Sequence, residues 1–291
     1  MKTFSWLIRR EFWENRAIWM VPVVIAAALV LAALFGKVEL TALTSPDQSR
    51  VVGGMVLSAF SVTFFLIMSL YATWYLVDCL YADRKDRSIL FWKSLPISDT
   101  ATVLAKLFTG LVAIPLVYFL AADVSTVLIA FIISVRARST FGSSLWQPDL
   151  WLQLQALWVY LIVTTAVWYL PFAGYCMAIS AWARRAVMLW TILPPLALFL
   201  LERWFFGTHR VGSILWDRAV DYLPLAFHSS SDHAAWMTTV VDDNSFTAPS
   251  SVWRLIDPVG FVSNPATWIG VVVGIAFVVV AIQLRLRRTE M

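Results

Sequence analysis

Charge is scarce in this sequence. Only 14% of the 291 residues are Asp, Glu, Lys or Arg, against about 25% in soluble domains. Hydrophobic residues reach 60% and mean hydropathy is +0.76. A water-soluble fold of this length has nowhere to hide so much apolar side chain. A bilayer removes that difficulty, because lipid tails solvate the outward faces. Cysteine is nearly lacking too. Cys79 and Cys176 both fall in apolar runs, which excludes a disulfide framework or a zinc spacing and makes them small buried hydrophobes. No Gly-x-x-x-x-Gly-Lys-Ser/Thr phosphate loop occurs, nor Gly-x-Ser-x-Gly, nor His-Glu-x-x-His. Nucleotide-binding and hydrolase readings therefore have no motif to stand on. The net charge of +4 does not indicate nucleic acid, because the basic residues sit in short clusters flanking apolar runs.

What is present is a series of runs long enough to cross a bilayer, which takes about 20 mostly apolar residues. Six are expected, over 18–35, 51–77, 102–133, 150–183, 187–206 and 265–284. Asp78 closes the second; Lys106 and Asp123 fall inside the third. The fold class is thus an all-α membrane protein with six transmembrane helices. The 16 Trp suit it, since indoles favour the headgroup level.

Lys and Arg set the orientation. With the N-terminus inside, the inner segments hold thirteen basic residues, from Lys2, Arg9, Arg10 and Arg16 through Arg84, Lys85, Arg87, Lys93, Arg184 and Arg185 to Arg285, Arg287 and Arg288. The longer outer segments hold seven: Lys37, Arg50, Arg136, Arg138, Arg210, Arg218 and Arg254. Both termini are therefore expected on the cytoplasmic side. Arg9-Arg10 hints at a twin-arginine signal, but Glu11, Glu14 and Arg16 precede a run long enough to span, so a retained helix is expected. Residues 1–16 mix Phe4, Trp6, Leu7, Phe12 and Trp13 with Arg9, Arg10, Glu11 and Glu14, the pattern of an interfacial amphipathic helix.

Proline punctuates several spans at 22, 115, 171 and the pair 194–195. The pair reads either as a static kink or as a bend that lets the helix rearrange. The segment 207–264 is the only long outer one and carries six Asp against three Arg. Within it Val211, Leu215, Ala219, Tyr222 and Ala226 recur at helical spacing, with Ser213, Asp217 and Asp221 on another face. That is an amphipathic helix lying on the outer surface or capping the bundle. His228, Asp232 and His233 also lie there, but nothing in the spacing fixes a metal geometry, so the histidines read as solvated. Gly270 and Gly274 in the sixth span permit close helix packing.

The inner loop over 83–99 is the most informative stretch. A charged run, Asp83-Arg84-Lys85-Asp86-Arg87, turns apolar at Ile89-Leu90-Phe91-Trp92 and stops at Pro96, after which Ser98 or Asp99 caps the next helix. Such apolar and aromatic residues need a partner, or else dip into lipid. This order, between the second and third of six spans, resembles the ABC-2 type transporter permeases. The layout agrees along nearly the whole chain: an interfacial N-terminal helix, six spans, this loop, and a long outer segment between spans five and six. The resemblance implies a coupling helix that docks on a separate ATPase subunit, with Asp83, Arg84, Asp86, Arg87, Phe91, Trp92 and Pro96 in or beside the contact and Arg184 and Arg185 adding a second one. It implies no cofactor on this chain, ATP and magnesium being bound by the partner ATPase. It further implies a second permease copy, identical or similar, completing a twelve-helix core in the inner membrane of a bacterium, with export as the direction.

Asp123 is an ionisable group inside a span, where such groups are costly. It either touches cargo or carries a proton, or it pairs with Arg136 or Arg138. Two rivals to the permease reading follow: a proton-coupled secondary transporter using Asp123, and a non-transporting membrane scaffold of an envelope complex that docks through 207–264.

Overall fold

The computed structural model of the chain describes residues 2–36, 46–85, 98–137, 140–220, 222–227, 253 and 256–287. Among these residues the regular structure is helical, apart from one antiparallel bridge between Phe227 and Ile256. Six helices among the described residues are long and apolar enough to cross a membrane: Ala17–Phe35, Val52–Lys85, Asp99–Arg136, Pro148–Trp168, Val187–Phe206 and Pro265–Arg287. The chain is an all-α, multi-pass membrane protein. Helices follow from the composition, because hydrocarbon offers no partner for a free backbone N–H or C=O and a helix satisfies both internally.

In chain order the elements are α1 (Lys2–Glu14), α2 (Ala17–Phe35), α3 (Pro46–Lys85), α4 (Asp99–Phe108), a π-helical turn (Thr109–Ala113), α5 (Ile114–Ala137), α6 (Thr140–Ser144), α7 (Pro148–Trp168), α8 (Leu170–Trp182), α9 (Val187–Phe206), α10 (Arg210–Val220), α11 (Tyr222–Ala226), α12 (Pro258–Ser263) and α13 (Pro265–Arg287). The expected segment over 1–16 is helical as α1, with Leu7, Arg10 and Glu11 buried and Trp6, Arg9 and Trp13 exposed.

Two expectations are corrected by local chemistry. Asp78 does not close the second span: α3 runs on to Lys85, 40 residues in all, roughly 60 Å of helix. The carboxylate at Asp83 is neutralised inside the protein (below), and Arg84 and Lys85 in the last turn suit the negative end of the helix dipole. The fourth span is broken at Tyr169 into α7 and α8. Pro171 has no N–H for the carbonyl one turn back, and it fits the first turn of a new helix. The Pro194-Pro195 pair, by contrast, leaves α9 continuous. Pro195 frees the carbonyl of Thr191, and the Tyr175 hydroxyl of α8 donates to it at 3.0 Å.

The centre of the bundle is α3, α8 and α13. A Cβ on Gly174 of α8 would stand 2.6 Å from the Gly274 carbonyl oxygen of α13, and one on Gly274 would stand 2.8 Å from the Leu170 carbonyl carbon. The two helices touch backbone to backbone, so Gly274 serves packing within the bundle. α9 is the least enclosed span, with only Val187 buried. At its far end Gly207 takes a left-handed φ of 63° and the chain reverses into α10. Glu202 caps the new helix, accepting from the Thr208 hydroxyl at 2.6 Å and from the N–H groups of Arg210 and Val211 at 2.7 and 2.6 Å. α10 then folds back along α9, with Gly212 against the ring of Phe199. The amphipathic helix expected over 211–226 is therefore α10 and α11, with Tyr222 and Ala226 on the buried side.

Candidate functional site

Four elements meet at the end of the bundle where α1 lies: α1, the last turns of α3 and α13, and α4. Each contributes charge. Lys106 of α4 is 2% exposed, with its Nζ 2.8 Å from Glu11 Oε1 and 3.1 Å from Asp83 Oδ1. The other oxygen of Asp83 lies 3.0 Å from Arg285 Nη1, and Arg285 Nε donates to Asp99 at 2.9 Å. Arg10 reaches Asp83 at 3.5 Å and Glu14 at 2.6 Å. The Tyr75 hydroxyl donates to the second oxygen of Glu11 at 2.7 Å. Isolated in the interior, Glu11, Asp83, Lys106 or Arg285 would each cost several kcal/mol; here each has an opposite charge and at least one further partner.

Local spacing explains the convergence. Asp99 and Lys106 are two turns apart on α4 and share a face, as do Tyr75 and Asp83 on α3. Arg10 and Glu11 lie on the buried side of α1, a turn from Leu7. Asp83 lies two residues before Lys85, the last described residue of α3, and α4 begins after Ser98, whose hydroxyl caps it by accepting the Ala101 N–H at 3.2 Å. Both roots of the 86–97 segment are thus held by one side chain of α13, Arg285.

Arg84 makes a second fastening. Its guanidinium donates to the carbonyls of Ser180 and Ala183, the latter at 2.8 Å, which closes the C-terminal end of α8. The Ser180 hydroxyl accepts from the Leu80 and Tyr81 N–H groups at 3.1 and 3.0 Å. The following turn, 183–186, exposes Arg184 and Arg185 and ends at Ala186, held at a left-handed φ of 51°.

The residues singled out from sequence are thus placed differently from one another. Asp83 and Arg84 turn into the protein, while Arg184 and Arg185 stand exposed beside them. Asp86, Arg87, Phe91, Trp92 and Pro96 lie outside the described residues, as do Arg138, His228 and His233. Asp123 is half-buried on α5 and accepts from the side-chain amide of Gln155 on α7. Arg136 does not pair with it; its guanidinium donates to the Ala33 carbonyl at 2.6 Å. Lys106 does not extend to an interface past lipid, because two carboxylates take its ammonium inside the protein. From sequence, Glu11 has no role beyond the polar side of the N-terminal helix and Asp99 none beyond a helix cap. Arg285 counted only as an orientation charge, and nothing local marks a pairing that spans some 200 residues. Among the described residues no three His, Cys, Asp or Glu side chains form a metal-holding group.

At the other end of α13 a single cation does the joining. Arg218 of α10 donates to the carbonyls of Ala266 and Trp168 at 2.8 Å each. Its guanidinium carbon sits 3.7 Å above the Trp168 ring, and the Trp168 indole N–H donates back to the Arg218 carbonyl at 2.8 Å. Nearby, burial pushes the Tyr222 phenol above its ordinary value, and its hydroxyl lies 2.7 Å from that of Thr164. No protein-family model, curated protein or solved structure matches this chain.

Proposed function

We propose that this chain is the membrane-spanning permease subunit of an ATP-driven exporter of the ABC-2 type. It works as a pair of six-span units with separate ATPase subunits, which bind the ATP and magnesium. Its termini are cytoplasmic, in a bacterial inner membrane. The observation that supports this most is the clamp of Arg285 on Asp83 and Asp99. A push on the 86–97 segment reaches span six through that clamp, and reaches α1 through Lys106 and Glu11. Such a device suits a protein moved by an external motor, which must relay one displacement to several spans.

In this reading Asp83 and Arg84 anchor the loop from within. Direct contact with the ATPase falls to Arg87, Phe91, Trp92 and their neighbours, with Arg184 and Arg185 beside them. ATP-driven closure of two ATPase subunits shifts the loops, and a pathway between the two permease units opens outward. The permease breaks no bond; it alternates between two arrangements.

Replacing Trp92→Ala or Arg87→Glu is expected to abolish co-purification of the ATPase in mild detergent while membrane insertion stays normal. Undiminished assembly in both variants contradicts the docking role. Transport by liposomes that hold this chain and no ATPase would favour the proton-coupled carrier acting through Asp123.

A further inference from the structure

α1 has a second face, turned away from the ion network. We propose that Trp6, Arg9 and Trp13, with the exposed Arg16 in the turn that follows the helix, bind the phosphate of an anionic phospholipid headgroup. Trp6 and Trp13 are 58% and 64% exposed, unusual for indoles facing water. The Arg9 guanidinium lies between them, its carbon 5.3 Å from the Trp6 ring centre and 4.8 Å from the Trp13 ring centre. Cation–π contact with two rings leaves its N–H edge free to meet an anion.

No carboxylate of α1 answers that charge. Glu11 is held by Lys106 and Tyr75, and Glu14 by Arg10. The face is therefore net positive and flanked by indoles, the chemistry of a membrane surface carrying anionic lipid. Position argues for lipid over protein. α1 joins α2, a span, through Asn15 and Arg16 alone, and Trp19 and Met20 in the first turn of that span are themselves exposed. Phe4 packs edge-on against Phe108 of α4, with ring centres 5.8 Å apart, which seats α1 beside the end of span three. Lipid bound on this face steadies the helix whose other face carries Arg10 and Glu11 into the network.

The proposal rests on membrane insertion and not on the ATPase, so the chain alone serves for the test. Native mass spectrometry of the detergent-purified full chain is titrated with phosphatidylglycerol or phosphatidylcholine of matched acyl chains. Phosphatidylglycerol is expected to bind about fivefold tighter or more, and the double change Arg9→Gln/Arg16→Gln to weaken it roughly tenfold or more. Arg9→Lys keeps the charge without the flat stacking and is expected to lose only part of the affinity. Should the double variant fail to fold, Arg9→Gln alone carries the same reading. Equal binding of the two lipids overturns the proposal, as does unchanged affinity in the glutamine variants. Displacement of the lipid by millimolar inorganic phosphate would reassign the site to a free anion. Loss of a co-purifying protein with lipid affinity intact would assign the face to a protein partner.

Discussion

The two ends of α13 are fastened in different ways. At Arg285 the joint is made of charge against charge: three cations (Arg10, Lys106, Arg285) and four carboxylates (Glu11, Glu14, Asp83, Asp99). At Ala266, about 28 Å away along the helix axis, the joint is one guanidinium spread over main-chain carbonyls and an indole. In the first, each central ion has more than one partner. Lys106 serves Glu11 and Asp83; Arg285 serves Asp83 and Asp99. One contact can lengthen while another holds, so the helices can shift without stranding a charge. In the second, one guanidinium also serves several groups, but all of them are neutral: two main-chain carbonyls and an indole ring. The charged joint is the one that lies where α3 ends and α4 begins, beside Asp83 and Asp99.

The sharpest break in this contrast is Lys106→Met. It leaves Glu11 and Asp83 facing each other in the interior, and is expected to cost about 3–5 kcal/mol of stability, read as a lowered Tm in detergent. Adding Glu11→Gln to that variant should recover part of the loss, because one stranded charge disappears. At the other end, Arg218→Met removes two charge-assisted hydrogen bonds and is expected to cost about 1.5–3 kcal/mol. Hydrogen exchange should rise in α10 and stay unchanged in α1; a rise at both ends would mean that the two joints are not separate. Between them, Gly174→Ala drives a methyl onto the Gly274 carbonyl and should cost about 1–3 kcal/mol by parting α8 from α13, with a disulfide engineered across that pair forming more slowly. Ala186→Gly acts in the opposite direction and least of all. It relieves the left-handed φ at the turn beside Arg84 and should stabilise by up to about 1 kcal/mol, visible as a small gain in Tm.

The spans were legible from sequence because a bilayer demands length and apolarity, and both are local properties. Helix ends were less so. Asp78 looked like a stop because a charge in an apolar run usually is one; the cations that neutralise Asp83, five residues further on, come from helices remote in sequence. The break at Tyr169 was marked by Pro171, yet the equally conspicuous Pro194-Pro195 pair left α9 continuous, because a hydroxyl from another helix supplied the missing bond. The same distinction holds at the candidate site. Ser98 was readable as a helix cap, since its partner is three residues away. The Glu11–Lys106 and Asp83–Arg285 pairs were not, since their partners are known only once the helices are packed.

The central claim, that a separate motor drives this bundle through the segment rooted at Asp83 and Asp99, is tested most directly by the mass of the assembly. Native mass spectrometry of the chain extracted in mild detergent from the cells that make it should give two permease units with two phosphate-loop ATPase subunits, and Trp92→Ala should leave only the permease units. A chain that carries no ATPase under any mild extraction, with Trp92 intact, would contradict the account.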